Sequence, residues 1–185
     1  IQNTEKKQRQ RSEMLFEQRP TESRKTELIH SDDIATIVAA MGYQGMITEG
    51  AKHSLGWKSP NYLYCASTAP HLKLLLKNYK ISDDIAFRFS NYEWSEYPLT
   101  ADKFIGWIKS FPESEQIINL FMNYETLGEL QPKETGIFEF MKALPRFAAE
   151  NGIGFTHPTD TISRLKPLAT IYVPNTPQWA DRSRD

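Results

Sequence analysis

Apolar residues recur through Ile34, Ile37, Val38 and Met41 at the spacing of one helical face. Ser31 stands just ahead of them as an N-cap, and Asp32 and Asp33 fall where a helix dipole is positive. Gly42 supplies the stop. Gly45 to Thr48 then reads as a buried strand that ends at Glu49-Gly50. Upstream, Thr26, Leu28 and Ile29 suit a strand over Arg24 to His30. Downstream, Tyr62 to Cys65 reads as another strand, while the apolar run Leu72 to Leu76 fits either helix or strand. Ser82-Asp83-Asp84 looks like a second N-cap leading into Ile85 to Phe89, and Thr100 opens a helix through Ile108 that Pro112 stops. Ile117 to Met122 is a continuous apolar strand, as expected where both faces are covered, and ends at Asn123-Tyr124-Glu125. An amphipathic helix follows over Glu134 to Glu150, kinked at Pro145 and closed by Asn151-Gly152. A strand at Ile153 to Phe155, a short helix at Pro158 to Leu165 and a strand at Thr170 to Val173 complete the pattern. The recurring order of strand, polar loop, helix and strand predicts an α/β fold with parallel strands and covering helices.

The first 22 residues break this rhythm. Residues 1–18 are dense in Glu, Gln, Lys and Arg around Met14, Leu15 and Phe16, which predicts an exposed helix ended by Pro20. The basic stretch Lys6 to Arg11 belongs to its solvated face. The chain begins at Ile1, lacks a signal-peptide core in its first twenty residues, and ends on an abrupt Trp179-Ala180-Asp181 segment. Both ends read as cuts within a larger protein.

A length of 185 residues suffices for one domain with a real core. Lys plus Arg number 22 against 23 Asp plus Glu, and the net charge of −1 argues against nucleic acid or an anionic membrane as the main partner. Cys65 is the sole cysteine, so neither an intrachain disulfide nor a multi-thiolate zinc site can form. That favours a reducing compartment such as the cytoplasm. No apolar run approaches the roughly 20 residues that span a bilayer.

Barrels of alternating strands and helices place their chemistry at the C-terminal strand ends. Two strands here end in carboxylate or amide groups, at Glu49 and at Asn123-Tyr124-Glu125. A strand-end glutamate can equally cap a helix or pair with an arginine. The neighbours of Glu49 include His53, Trp57, Asn61 and Tyr62, and Asn123 is followed by Glu125, Glu129 and Gln131. Carboxylates and amides beside aromatic rings suit a sugar, whose hydroxyls need hydrogen bonds and whose ring face stacks on aromatics. Trp94 and Trp107 fit a core or groove wall on spacing alone.

Longer motifs sharpen this. Ile47-Thr48-Glu49-Gly50-Ala51 with His53-Ser54-Leu55-Gly56-Trp57-Lys58-Ser59-Pro60-Asn61-Tyr62 resembles the nucleophile region of α-amylases of glycoside hydrolase family 57. Leu120-Phe121-Met122-Asn123-Tyr124-Glu125-Thr126-Leu127-Gly128-Glu129-Leu130-Gln131 is similar to that family's acid region. Ser82 to Ser90, Trp94 to Thr100, and the terminal Trp179-Ala180-Asp181 with Arg184-Asp185 also resemble family members. The likeness covers roughly residues 24–185. It implies that the whole chain is an internal segment of one catalytic domain, part of an incomplete (β/α)7 TIM-like barrel, acting on α-glucans or maltooligosaccharides by a retaining mechanism. Glu49 would be the nucleophile, with a second carboxylate about 5–5.5 Å away as acid/base. His53, Trp57, Trp94 and Glu125 would bind substrate. This chemistry needs no cofactor or metal, and the four histidines have no metal-ligand spacing.

The family pattern has aspartate where this chain has Asn123. An amide cannot donate and recover a proton near neutral pH, and general acid–base help is worth roughly 10²- to 10⁴-fold, or about 3–5.5 kcal/mol. Three readings follow: a natural glucan-binding protein without cleavage, an introduced substitution, or Glu125 acting in its place on the same strand face. The family also commonly has Phe and His at the positions of Leu127 and Leu130, and its His-Gln-Pro region is not present here. An isolated segment of such a barrel is expected to be poorly soluble and inactive. A glucanotransferase or branching enzyme of the same family is the further alternative.

Overall fold

The computed structural model describes residues 22–24, 30–50, 55–56 and 58–173. The helix expected over residues 1–18 and the terminal Trp179-Ala180-Asp181 motif lie outside them. The described chain divides into two compact units. One holds residues up to Lys77, Gln116–Asn119 and the stretch from His157; the other holds Asn78–Glu115 and Leu120–Thr156.

The first unit is built on a five-stranded sheet. Its strands are β1 (Glu22–Arg24), β2 (Gly45–Glu49), β3 (Tyr64–Ala66), β4 (Lys73–Lys77) and β5 (Ala169–Ile171), ordered β1-β2-β4-β3-β5. β1, β2 and β4 run parallel, as expected. β3 does not: it turns back through Ala69 to Leu72 and pairs antiparallel with β4, and β5 joins β3 in parallel. The link between β3 and β4 is too short for the dozen or more residues that a parallel crossover needs.

Helix α1 (Asp32–Ala40) starts where the sequence indicates. Ser31 Oγ accepts the Ile34 N–H at 3.3 Å, and Gly42 takes the left-handed φ of 82° past its end. Its residues Ile34 and Val38 pack with Met46, Leu74 and Leu76 from the sheet. On the opposite sheet face, Ile47 and Leu75 join Leu63, Ile162 and Leu165, the last two on or beside the helix α5 (Pro158–Arg164). Alternate residues of β2 and β4 thus enter different cores, which explains their unbroken apolar runs. By the same alternation, Glu49 falls on the Ile47 face, away from α1.

The second unit is helical. α2 (Tyr79–Asp83) is capped by Asn78, whose side chain accepts the Ile81 N–H, and runs directly into a π-helical turn at Asp84–Arg88. Ser82 therefore lies inside this element and does not cap it. α3 (Ala101–Ser110) and α4 (Ile137–Glu150) pack through aromatic rings, with Phe104 edge-on to Phe140 at 5.8 Å and Phe89 edge-on to Phe140 at 5.3 Å. Pro145 sits inside α4 as expected. Ile117 to Met122 forms no ladder strand. It contributes one parallel bridge, Asn119 to Lys77, because side chains and loop contacts hold it instead of a neighbouring strand. Ile153 to Phe155 is likewise irregular and not a strand.

Candidate active site

Glu49 is the last residue of β2, so it lies at the C-terminal end of a parallel strand. Register sets it opposite Lys77, the last residue of β4. Gly50 explains how the two strand ends approach each other. A Cβ there would lie 2.5 Å from the Lys77 carbonyl oxygen and 3.1 Å from Pro60 Cβ, so only glycine leaves room. Around this end, Asn61 is fully buried, and its carbonyl accepts the N–H groups of Gln116 and Ile117 at 2.9 and 3.1 Å. Tyr64 Oη donates to the Ser59 carbonyl at 2.6 Å. Gly50, next to Glu49, thus sits against the Lys77 carbonyl and Pro60, and these bonds hold the segment that carries Pro60. His53 and Trp57, expected beside it, lie outside the described residues.

Asn123 belongs to the helical unit. It is exposed and extended, with φ −69° and ψ 152°, and precedes a short 3-10 turn at Tyr124–Thr126. Its carbonyl accepts the Thr126 N–H at 3.0 Å, while its side chain makes no capping bond. The turn corrects the expectation that Glu125 shares a strand face with Asn123: the two-residue alternation of a strand does not apply there. Glu125 serves this loop through its backbone, its carbonyl accepting Glu129 and Leu130 N–H at 3.2 and 3.0 Å. Trp94 packs edge-on against Trp107 with centroids 5.9 Å apart, the wall-like arrangement that spacing alone suggests.

Two residues named in the sequence, Ser82 and Gln131, hold the Asn123 loop through bonds that the sequence does not reveal. Ser82 Oγ accepts the Phe121 N–H at 3.1 Å, and Gln131 Nε2 donates to the Ala86 carbonyl at 3.0 Å. Both bonds end on the α2–π-helix stretch, and both side chains are at most 2% exposed. A π-turn frees or redirects carbonyl groups that an α-helix would bond internally, which is how Ala86 comes to serve Gln131. On the same turn Asp84 bonds Arg88 at 2.6 Å; burial pushes its carboxyl up and the guanidinium opposes that shift. The presence of Gln131 in the family-like motif was the available signal; the Ser82 bond required the fold.

Comparison with known proteins decides the lineage. The family model described as glycosyl hydrolase family 57 matches residues 5–174. The chain belongs to glycosyl hydrolase family 57. Among curated proteins it is 46% identical over 165 residues to the "Putative alpha-amylase" of Methanocaldococcus jannaschii, covering 88% of this chain and 34% of that protein. Among solved structures it matches the crystal structure of a 4-α-glucanotransferase from Thermococcus litoralis with a TM-score of 0.68 at 14% identity. That match covers 91% of this chain and 26% of the glucanotransferase, and it concerns the fold alone. The chain spans about a third of the length of the curated relative it matches.

The family 57 chain is therefore α/β and forms part of a TIM-like barrel, as its sequence leads one to expect. Among the described residues, no three His, Cys, Asp or Glu side chains come together as a metal site, and no helix is long and apolar enough to cross a membrane.

Proposed function

We propose that this family 57 chain carries the nucleophile half of an α-glucan site, with Glu49 attacking the anomeric carbon in a retaining reaction. The observation that carries the reading is the position of Glu49 at the end of β2, pinned by the Gly50 contact with β4. Strand-end carboxylates at the C-terminal side of a barrel are where glycosidic chemistry is built. The Glu49 carboxylate forms a bond to C1 of the sugar while the C1–O bond to the leaving sugar breaks. The leaving oxygen needs a proton, and water must later be deprotonated to release the glycosyl group. His53, Trp57, Trp94 and Glu125 are the proposed substrate contacts, and α-glucans or maltooligosaccharides the proposed substrates. The names borne by the relatives, α-amylase and 4-α-glucanotransferase, support glucan as the substrate class.

Asn123 occupies the place of the acid/base. Its amide neither gives up nor takes a proton at neutral pH, so glucan cleavage runs slowly or stops while binding persists. This specific observation favours a glucan-binding, catalytically weak protein as the second reading. Hydrolysis of maltooligosaccharides by the protein from its full reading frame, with and without Asn123→Asp, tests both. A gain on restoring the carboxylate, abolished by Glu49→Gln, supports the proposed roles. Native turnover at a normal rate that is indifferent to Glu49→Gln overturns them.

A further inference from the structure

The helical unit contains a cavity of ≈ 310 Å³ between the α3 and α4 segments. None of Glu49, Asn123, Glu125 or Trp94 lines it. The volume is at the low end of the range of about 300–1,000 Å³ for small-molecule sites. Its apolar wall is made of the rings of Phe89, Tyr97, Phe140 and Phe147. Phe140 packs edge-on against both Phe89 and Phe104.

The polar side chains of the lining are carboxylates and hydroxyls. Asp102 and Glu139, each in the first turn of its helix, contribute carboxylates, and Thr100 and Thr135 contribute hydroxyls. The Thr100 hydroxyl bonds the Asp102 carboxylate and, with nearby backbone N–H groups, holds it below the usual carboxylate range. No Lys or Arg lines the cavity. The adjacent Lys103 is committed elsewhere, its Nζ lying 2.9 Å from Glu96 Oε2 and 2.7 Å from the Glu96 carbonyl.

This lining selects a ligand class. Two carboxylates with no cation repel an anion. The Arg146 guanidinium already sits 5.0 Å over the Phe147 ring, and its charge works against a second cation on that wall. Aromatic rings beside carboxylates fit an organic cation or a neutral molecule with apolar ring faces and several O–H donors, and for the neutral molecule the acceptor-only carboxylates are complementary. We propose that this cavity is an additional carbohydrate-binding site that takes a short α-glucan segment, held by the Tyr97 and Phe147 rings and by Asp102 and Glu139. The choice of α-glucan over a cation or another polyol rests on the function proposed above. Such a site would keep the polymer attached independently of the Glu49 strand end.

Calorimetric titration of the full protein with maltotriose, and separately with tetramethylammonium, tests the assignment. The proteins compared are the native form, Glu139→Gln, Asp102→Asn/Glu139→Gln and Glu49→Gln, each checked for folding by circular dichroism. Asp102 and Glu139 are exposed, and the single Glu139→Gln exchange keeps the shape of the side chain. The expected result is maltotriose binding that weakens at least about tenfold in the double variant, as loss of charge-assisted hydrogen bonds implies, with a smaller loss in Glu139→Gln. Maltotriose binding unchanged by the cavity variants but lost in Glu49→Gln overturns the cavity and leaves the glucan reading standing. Absence of maltotriose binding to any form overturns both. Cavity-dependent binding of tetramethylammonium in place of maltotriose assigns the site to a cation and also overturns the proposal.

Discussion

Replacing Gly50 by alanine tests how the Glu49 strand end is held. The added Cβ would lie 2.5 Å from the Lys77 carbonyl oxygen, 3.1 Å from Pro60 Cβ and 3.5 Å from Leu76 Cβ. Relaxed C–H···O contacts lie at about 3.3–3.6 Å, so β2 and β4 must separate at this point by most of an ångström. Overpacking of this kind costs about 1–3 kcal/mol. Gly→Ala recovers about 0.4–1 kcal/mol by restricting the unfolded chain, and no left-handed φ at Gly50 adds strain. The net loss is then between about zero and about 2.6 kcal/mol, or a fall in Tm of up to about 10 °C for a chain of this size. Gly106→Ala is the matched control: it lies inside α3 with nothing within 4 Å of an added Cβ, so it gains about 0.5–1 kcal/mol. Thermal unfolding followed by circular dichroism reads both. A gain in stability of Gly50→Ala to match that of Gly106→Ala refutes the close approach of the two strands, and opposite signs for the two alanines support it.

Restoring the carboxylate with Asn123→Asp raises glucan turnover by roughly 10²-fold or more if proton transfer is what the native site lacks; unchanged turnover in a kinetic assay counts against that. Ser82→Ala removes the hydroxyl that accepts the Phe121 N–H, at a cost of about 0.5–1.5 kcal/mol. Hydrogen exchange at the Phe121 amide accelerates accordingly, and unchanged protection contradicts the anchoring role. His30 is 6% exposed and neither ring nitrogen has a hydrogen-bond partner among the described residues; burial lowers its pKa, with Asp32 opposing. The unfolded chain then takes up the proton first. Stability holds above about pH 6.5 and falls as pH drops from there towards the folded value, by at most about 1.36 kcal/mol per pH unit. Urea midpoints across that window show the decline, and His30→Leu flattens it.

Much of this was legible along the chain. The α1 caps, the α3 and α4 segments and the buried β2 were visible because each rests on local chemistry: Ser31 at a cap, Gly42 at a stop, and apolar residues at one period. Leu72 to Leu76 was ambiguous because a short, fully buried strand shows no alternation. Ile117 to Met122 misled for a related reason. Its apolar run is real, but the Phe121 N–H is bonded by the Ser82 hydroxyl, and Asn119 reaches the Leu76 carbonyl through its side chain. The antiparallel turn from β3 to β4 rests on a short Ala69–Leu72 connection whose direction no periodicity reveals. Glu49 was legible from a long motif at a strand end. The Gly50–Lys77 approach and the bonds of Ser82 and Gln131 join residues far apart in sequence, so only the fold exposes them.

The central claim is that Glu49 forms a covalent bond to sugar. α-Maltosyl fluoride tests it most directly, because fluoride departs without the protonation that Asn123 cannot supply. Attack by Glu49 releases fluoride, and the glycosyl group stays attached because no base at 123 activates water. Mass spectrometry of the peptide-mapped protein should then show a maltosyl ester on Glu49 that azide removes. An unmodified Glu49 after fluoride release, or an adduct on another residue, contradicts the account.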